Sequence, residues 1–244
     1  MDESRTGPAF YALQGGGWRD YWTLLHLPYT LWHLSYVAFG ACLAPVLDPG
    51  RLGLALLAFF MAIGIGAHAL DELHGRPLAT RIPSTILVAL ANAGLGGAIA
   101  LGIYGASVVS WWGLVFIAVG GFLVPAYNLE WFGGVFHSDL VFALMWGGFP
   151  ALAAYFAQTG RIDAAAIFVA AACAFLSGAQ RRLSTPVRRL RRRVSSVTGE
   201  LVLNDGTRED LDVDSLREAP EAALKVMWIG LVLLAIGSVV ASWP

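Results

Sequence analysis

The chain has 244 residues, of which 57% are hydrophobic and only 14% charged, and its formal net charge is −1. Soluble domains carry about 25% charged residues, so the composition excludes an ordinary soluble domain and reads as an integral membrane protein. The charges are clustered, so the small net value says nothing of partners by itself, and no nucleic-acid partner is expected.

Met1 to Asp20 has no charged-then-apolar pattern. It reads as a cytosolic N-terminal segment without a cleaved signal peptide. Seven apolar runs of about 20 residues follow, the length that crosses a hydrocarbon core. They are 21–47, 52–73, 84–104, 108–125, 140–158, 162–180 and 222–243. The expected fold is an all-α integral membrane protein with about seven transmembrane helices. Cys42 and Cys173 lie inside apolar runs and read as small buried residues rather than a disulfide pair.

Positive charge sets the direction. With the N-terminus in the cytosol, 14 of the 16 basic residues fall on the cytosolic side, and only Arg51 and Arg161 fall outside. The expected location is the plasma membrane, with the C-terminus outside.

The soluble-looking stretch 181–220 opens on Arg188-Arg189-Leu190-Arg191-Arg192-Arg193. That run reads as a topology anchor beside anionic lipid, or as a site for a phosphorylated substrate. Leu201 and Leu203 alternate with polar neighbours before Asp205-Gly206, which predicts a small β-hairpin. The acidic stretch 208–221 then leads into the last span. The chain divides into residues 1–20, a six-helix membrane core 21–180, the hairpin-bearing cytosolic segment 181–220 and the last helix 221–244.

All five histidines fall on the cytosolic side of this topology. His26 and His33 share one face of the first span, His68 and His74 end the second, and His137 precedes the fifth. Asp71, Glu72, Glu130 and Asp139 lie on the same side. His68 shares a helix face with Asp71 and Glu72, at i+3 and i+4. Ionisable groups in a membrane helix point to function. Imidazole with carboxylate suits iron, zinc or manganese, and carboxylates alone suit magnesium. The plainer reading is that each histidine bonds a backbone carbonyl or a carboxylate, and that Asp139 caps a helix. Tryptophans and tyrosines at the span ends read as an interfacial belt.

Three stretches resemble the UbiA superfamily of intramembrane prenyltransferases. Leu27-Pro28-Tyr29-Thr30-Leu31-Trp32 is similar to the opening of that family's first helix, with Leu27 in place of its arginine. His68-Ala69-Leu70-Asp71-Glu72, followed by Arg76-Pro77-Leu78, resembles its first aspartate-rich motif and the loop after it. Tyr127 through Pro150 resembles its fourth loop and fifth helix. The family's second aspartate-rich motif has no counterpart at Gly178-Ala179-Gln180-Arg181-Arg182, and its nine spans are reduced to seven.

The resemblance implies a UbiA-like bundle acting on a prenyl diphosphate or other membrane lipid with Mg²⁺ at the cytosolic face, and prenyl transfer to a small acceptor. In it His68, Asp71, Glu72, His33, His137 and Glu130 are expected as metal ligands, and Asp71, Glu72 and Arg76 as the catalytic set. Arg76, Arg81, Tyr127, Arg181 and Arg182 are expected to hold the anionic head. Two other readings stand beside it: a transition-metal enzyme (iron, zinc or manganese) on a reused scaffold, and a non-catalytic lipid- or partner-binding subunit. A homo-oligomer is left open.

Overall fold

The computed structural model describes residues 7–13 and 15–244, so Arg5 and the rest of residues 1–6, counted above on the cytosolic side, lie outside the described residues. The chain is mostly helical. A short α1 (Trp18–Leu24) leads into α2 (Leu27–Cys42). Then come α3 (Pro49–Leu73), α4 (Ser84–Val109) and α5 (Gly113–Asn128). Past an irregular turn at Trp131–Gly134 follow α6 (Asp139–Thr159) and α7 (Ala164–Arg193). Strands β1 (Gly199–Val202) and β2 (Arg208–Leu211) precede α8 (Val213–Ser242).

Among the described residues, five helices are long and apolar enough to cross a membrane: α3, α4, α6, α7 and α8, of 25, 26, 21, 30 and 30 residues. The expected spans 21–47 and 108–125 are shorter as helices. Both α2 and α5 have 16 residues, about 24 Å at 1.5 Å per residue. The run 21–47 does not form one helix because the chain breaks at His26, whose φ of 45° is left-handed. Pro28 disfavours helical geometry at Leu27 and supplies no N–H, so the helix restarts there. The turn is closed by the His26 carbonyl, which accepts from Tyr29 N at 2.8 Å and Thr30 N at 3.0 Å.

The segment 181–220 is also more ordered than its polarity implies. The arginine run is not a loop but the continuation of α7, and 213–221 is the first part of α8. The expected hairpin is present as a two-stranded antiparallel sheet, with Glu200 opposite Asp210 and Gly206 at φ 87° in the turn. The helical extensions are joined by Arg191, which donates to both oxygens of Glu221 at 2.9 Å. Lys225 lies 3.1 Å from Glu221.

Within the membrane region, α2 packs on α6 and α8, α3 on α4, and α7 on the wide-turned part of α6. The α2–α6 crossing is close enough that a Cβ at Gly40 would overlap the Ala151 carbonyl. One buried cluster joins Leu24, Ile63, Leu70, Leu87, Tyr127 and Trp146, and a second joins Trp32, Tyr36, Cys173, Leu224 and Leu231. Large apolar side chains such as Phe168, Phe175, Leu233 and Val240 face outward. That is the arrangement lipid requires of spanning helices, whose backbone polar groups are satisfied internally.

At the opposite end from the histidines, Asp48 caps α3 by accepting from Gly50 N and Arg51 N at 2.8 and 3.1 Å. The Gln158 side chain bonds the Asp48 backbone on both sides, at 2.9 and 3.1 Å. Asp163 caps α7 through Ala166 N at 3.1 Å and accepts from the Tyr155 hydroxyl.

Candidate functional site

Two stretches of π-helix, Phe60–Ala67 in α3 and Ala143–Gly148 in α6, lie at the centre of the bundle. Such segments are rare and concentrate at functional sites. Directly after the first, His68 begins a final α-turn, and its ring stacks on His26 with centroids 4.1 Å apart. His26 is brought there by the left-handed break before α2, a conformation that costs a non-glycine residue about 1–3 kcal/mol.

Tyr11 approaches from the N-terminal segment and sets its hydroxyl 3.0 Å from His26 Nδ1. Burial, and Tyr29 beside it, push the Tyr11 phenol well above its usual value. The phenol stays protonated, and it shares one hydrogen bond with Nδ1. His26 Nε2 is buried without a hydrogen-bond partner among the described residues. Buried polar atoms are rarely left so.

Asp71 lies one turn beyond His68. The charges acting most strongly on it are those of Arg188 and Arg192 on α7, four residues apart and hence on one face. Among the described residues Asp71 makes no hydrogen bond, and the Arg188 guanidinium touches only Thr185 Oγ1 at 3.4 Å. These groups, with Tyr29, make a polar cluster, called the chamber below, with unspent donors and acceptors at the end of the bundle away from Asp48.

The residues singled out from the sequence do not converge on one centre. Glu72 bonds the loop after α3 and not His68. It is fully buried and accepts from Leu78 N at 2.9 Å, Thr80 N at 2.8 Å and Thr80 Oγ1 at 2.8 Å. Arg76 staples the same loop, donating to Thr80 O at 3.3 Å, Ile82 O at 2.6 Å and Ser84 Oγ at 2.8 Å. The Arg81 backbone N–H bonds Asp20 at 2.9 Å, and its side chain and that of Arg182 are exposed.

His33 donates from Nδ1 to the Trp146 carbonyl at 2.7 Å. His137 stacks on Tyr127 at 4.4 Å and donates to its carbonyl at 3.1 Å. Glu130 lies 3.8 Å from His137 and 4.0 Å from His74, all three partly exposed. Arg181 joins the Asp139 carboxylate and the Tyr127 hydroxyl.

The expected metal ligands are thus spread over separate places. Among the described residues no three His, Cys, Asp or Glu side chains form a group able to hold an ion. The donor set does not fit a two-magnesium diphosphate cage. Glu72 already serves three donors, and Asp71 stands opposite arginines that would repel a cation. The sequence does not single out Tyr11 and Tyr29 as site residues, and it offers Arg188 and Arg192 only as members of the basic run, anchor or phosphate site. The last two were accessible through their i, i+4 spacing once the basic run is read as helix, whereas nothing in the sequence marks the tyrosines.

Below the chamber is an apolar cavity of about 480 Å³ between α3, α4, α5 and α6. It opens near Asp48, Arg51 and Ser110 and ends inward at Ile63, Val124, Met145 and Trp146. Trp146 and Tyr127, whose rings are 4.4 Å apart, form the layer between cavity and chamber. The carbonyl that holds His33 belongs to the same Trp146.

No family model, curated protein or solved structure matches the chain. The functional reading therefore rests on the chamber and the cavity themselves.

Proposed function

We propose that this chain is a UbiA-like membrane protein of seven spans, with a cytosolic N-terminus, that houses a long-chain lipid and acts on its anionic head. The observation that carries this reading is the apolar cavity, because Trp146 at its inner end packs on Tyr127 and holds His33 on the side of the polar cluster. Its volume lies within the ~300–1,000 Å³ of small-molecule sites, and its lining is suited to a prenyl or other hydrocarbon chain.

In this reading α2 and α5 complete the seven spans, and α1 lies in the interface with Trp18 and Trp22 outward. The bias of basic residues toward the chamber end supports that end as cytosolic. Arg188 and Arg192 receive the charged head, and His26 and Asp71 are the groups placed to exchange protons with it. Prenyl transfer is the family chemistry this reading inherits, and the chain's own residues support it through arginine and histidine rather than through a carboxylate-held metal pair.

The test begins with lipid. Protein purified from membranes is extracted, and its lipids are compared by mass spectrometry with those of an unrelated membrane protein prepared identically. One single-chain lipid class enriched in the wild type and lost in the cavity-filling variant Ala62→Phe is the expected result. Identical profiles in all three samples would reject the proposal. Farnesyl and longer prenyl diphosphates, with and without Mg²⁺, then test the reaction. Neither binding nor pyrophosphate release would remove prenyl transfer and leave a lipid-holding protein.

A further inference from the structure

The chamber is closed from above by the chain's own residues 7–13. Arg191 Nη1 donates to the Gly7 carbonyl at 3.0 Å and Arg192 Nε to the Pro8 carbonyl at 3.2 Å. Phe10 packs edge-on to Tyr29 at 6.3 Å and lies under the Lys225 ammonium at 5.4 Å. Tyr11 covers His26, with ring centroids 5.4 Å apart.

Few of these contacts resemble those of a permanent plug. The segment has no regular secondary structure. Its attachments to α7 are made through two backbone carbonyls, acceptors that an anionic head replaces well because charge-assisted bonds to arginine are stronger than neutral ones. Its far end leads to Gly16 and Gly17, at φ 116° and 62°, where glycine permits rotation that other residues resist. Leu13 N bonds Thr23 Oγ1 at 3.0 Å, which fixes that end while the Gly7–Tyr11 part can lift.

We infer that residues 7–13 are a lid on the chamber, which opens to admit the polar end of the ligand and shuts by returning two carbonyls to Arg191 and Arg192. The inference rests on the chamber's being the working site, as proposed above. The lid itself is tested without any lipid, so the two ideas fail separately.

The test uses the full chain in lipid nanodiscs. Diethyl pyrocarbonate labelling of His26 is followed by peptide mass spectrometry, with half-exposed His74 as the internal reference. In the intact chain His26 should react at least ~10-fold more slowly than His74. Phe10→Ala should raise the His26 rate ~10-fold, with His74 labelling and the elution volume unchanged. Hydrogen exchange supplies the second readout, since it reports local opening. The Ala12 amide, bonded to the Ala9 carbonyl at 3.1 Å within the lifting part, should exchange at least ~100-fold faster than those within α2. Three results would overturn the lid: His26 labelled as fast as His74 in the intact chain, an unchanged His26 rate in Phe10→Ala, or exchange at Ala12 as slow as in α2.

Discussion

Replacing Glu72 separates a loop-building role from a metal-binding one. Its carboxylate is fully buried and accepts three hydrogen bonds between 2.8 and 2.9 Å, two from backbone N–H groups and one from Thr80 Oγ1. Bonds to a charged acceptor contribute about 1.5–3 kcal/mol each, and donors stranded by truncation add to the loss. Three such bonds are not additive, so Glu72→Ala should cost about 4–6 kcal/mol. That is a large part of the ~5–15 kcal/mol of a typical fold. Glu72→Gln keeps one oxygen but turns an amide NH₂ toward a donor, and should cost about half as much. With ~2–4 °C per kcal/mol for a chain of this size, the midpoint should fall by about 10 °C or more in Glu72→Ala. The assay is thermal unfolding in detergent, followed by size exclusion and by tryptophan fluorescence. A Glu72→Ala midpoint within ~2 °C of wild type would refute the reasoning. If that stable variant also lost a stoichiometric metal, Glu72 would return to the role of ligand.

The other expectations concern separate parts of the molecule. Gly40→Val should abolish folded expression, because its side chain must occupy the space of the Ala151 carbonyl where α2 crosses α6; in-gel fluorescence of a tagged protein checks this. Glu221→Ala should destabilise by about 3–5 kcal/mol, since it removes the carboxylate paired with the nearly buried Arg191 guanidinium. The shift is read from the melting midpoint in the same detergent. Replacing residues 199–211 by a short Gly-Ser linker should leave that midpoint within ~2 °C, as nearly all of the hairpin is exposed. Asp163 is held below the usual carboxylate value, first by the Tyr155 hydroxyl and then by the Ala166 N–H. Its contribution is therefore complete above the unfolded value and is lost as pH falls through the lower folded one. Midpoints of wild type and Asp163→Asn measured between pH 7 and pH 3 should converge at the acid end.

Much of the helical plan was legible because apolar runs locate membrane helices by burial in lipid alone. The helix ends were less so. The continuation of α7 from Arg181 to Arg193 carries almost no apolar signal, and its helicity comes from packing on α8 and from the Arg191–Glu221 pair. The break at His26 was masked by an unbroken apolar run on either side of it, with Pro28 the single warning.

The site was partly legible. His68 and Asp71 were identified as significant, but sharing a helix face does not mean sharing a partner. Residues four apart are offset by a full turn along the axis, so the pairing depends on what lies opposite each. His68 meets His26, 42 residues earlier in the chain, and Glu72 meets a loop six to eight residues later. Those contacts come from tertiary packing, which the local pattern does not encode. For the same reason Tyr11 could not be anticipated, since its place depends on where α7 ends.

The π-helical stretch Phe60–Ala67 has a consequence for how this sequence tolerates change in length. Each residue in an α-helix turns the chain by about 100° and advances it about 1.5 Å, so a widened turn works as a phase shifter between the two halves of α3. It sets the azimuth at which His68, Asp71 and Glu72 leave the helix without altering the outer half that lines the cavity. Deleting one residue from 60–67 would tend to restore regular winding, whereas the same deletion in the regularly wound outer half would swing His68 away from His26 by about 100°, with every side chain of the chamber still present. For this segment, the number of residues carries as much information as their identity.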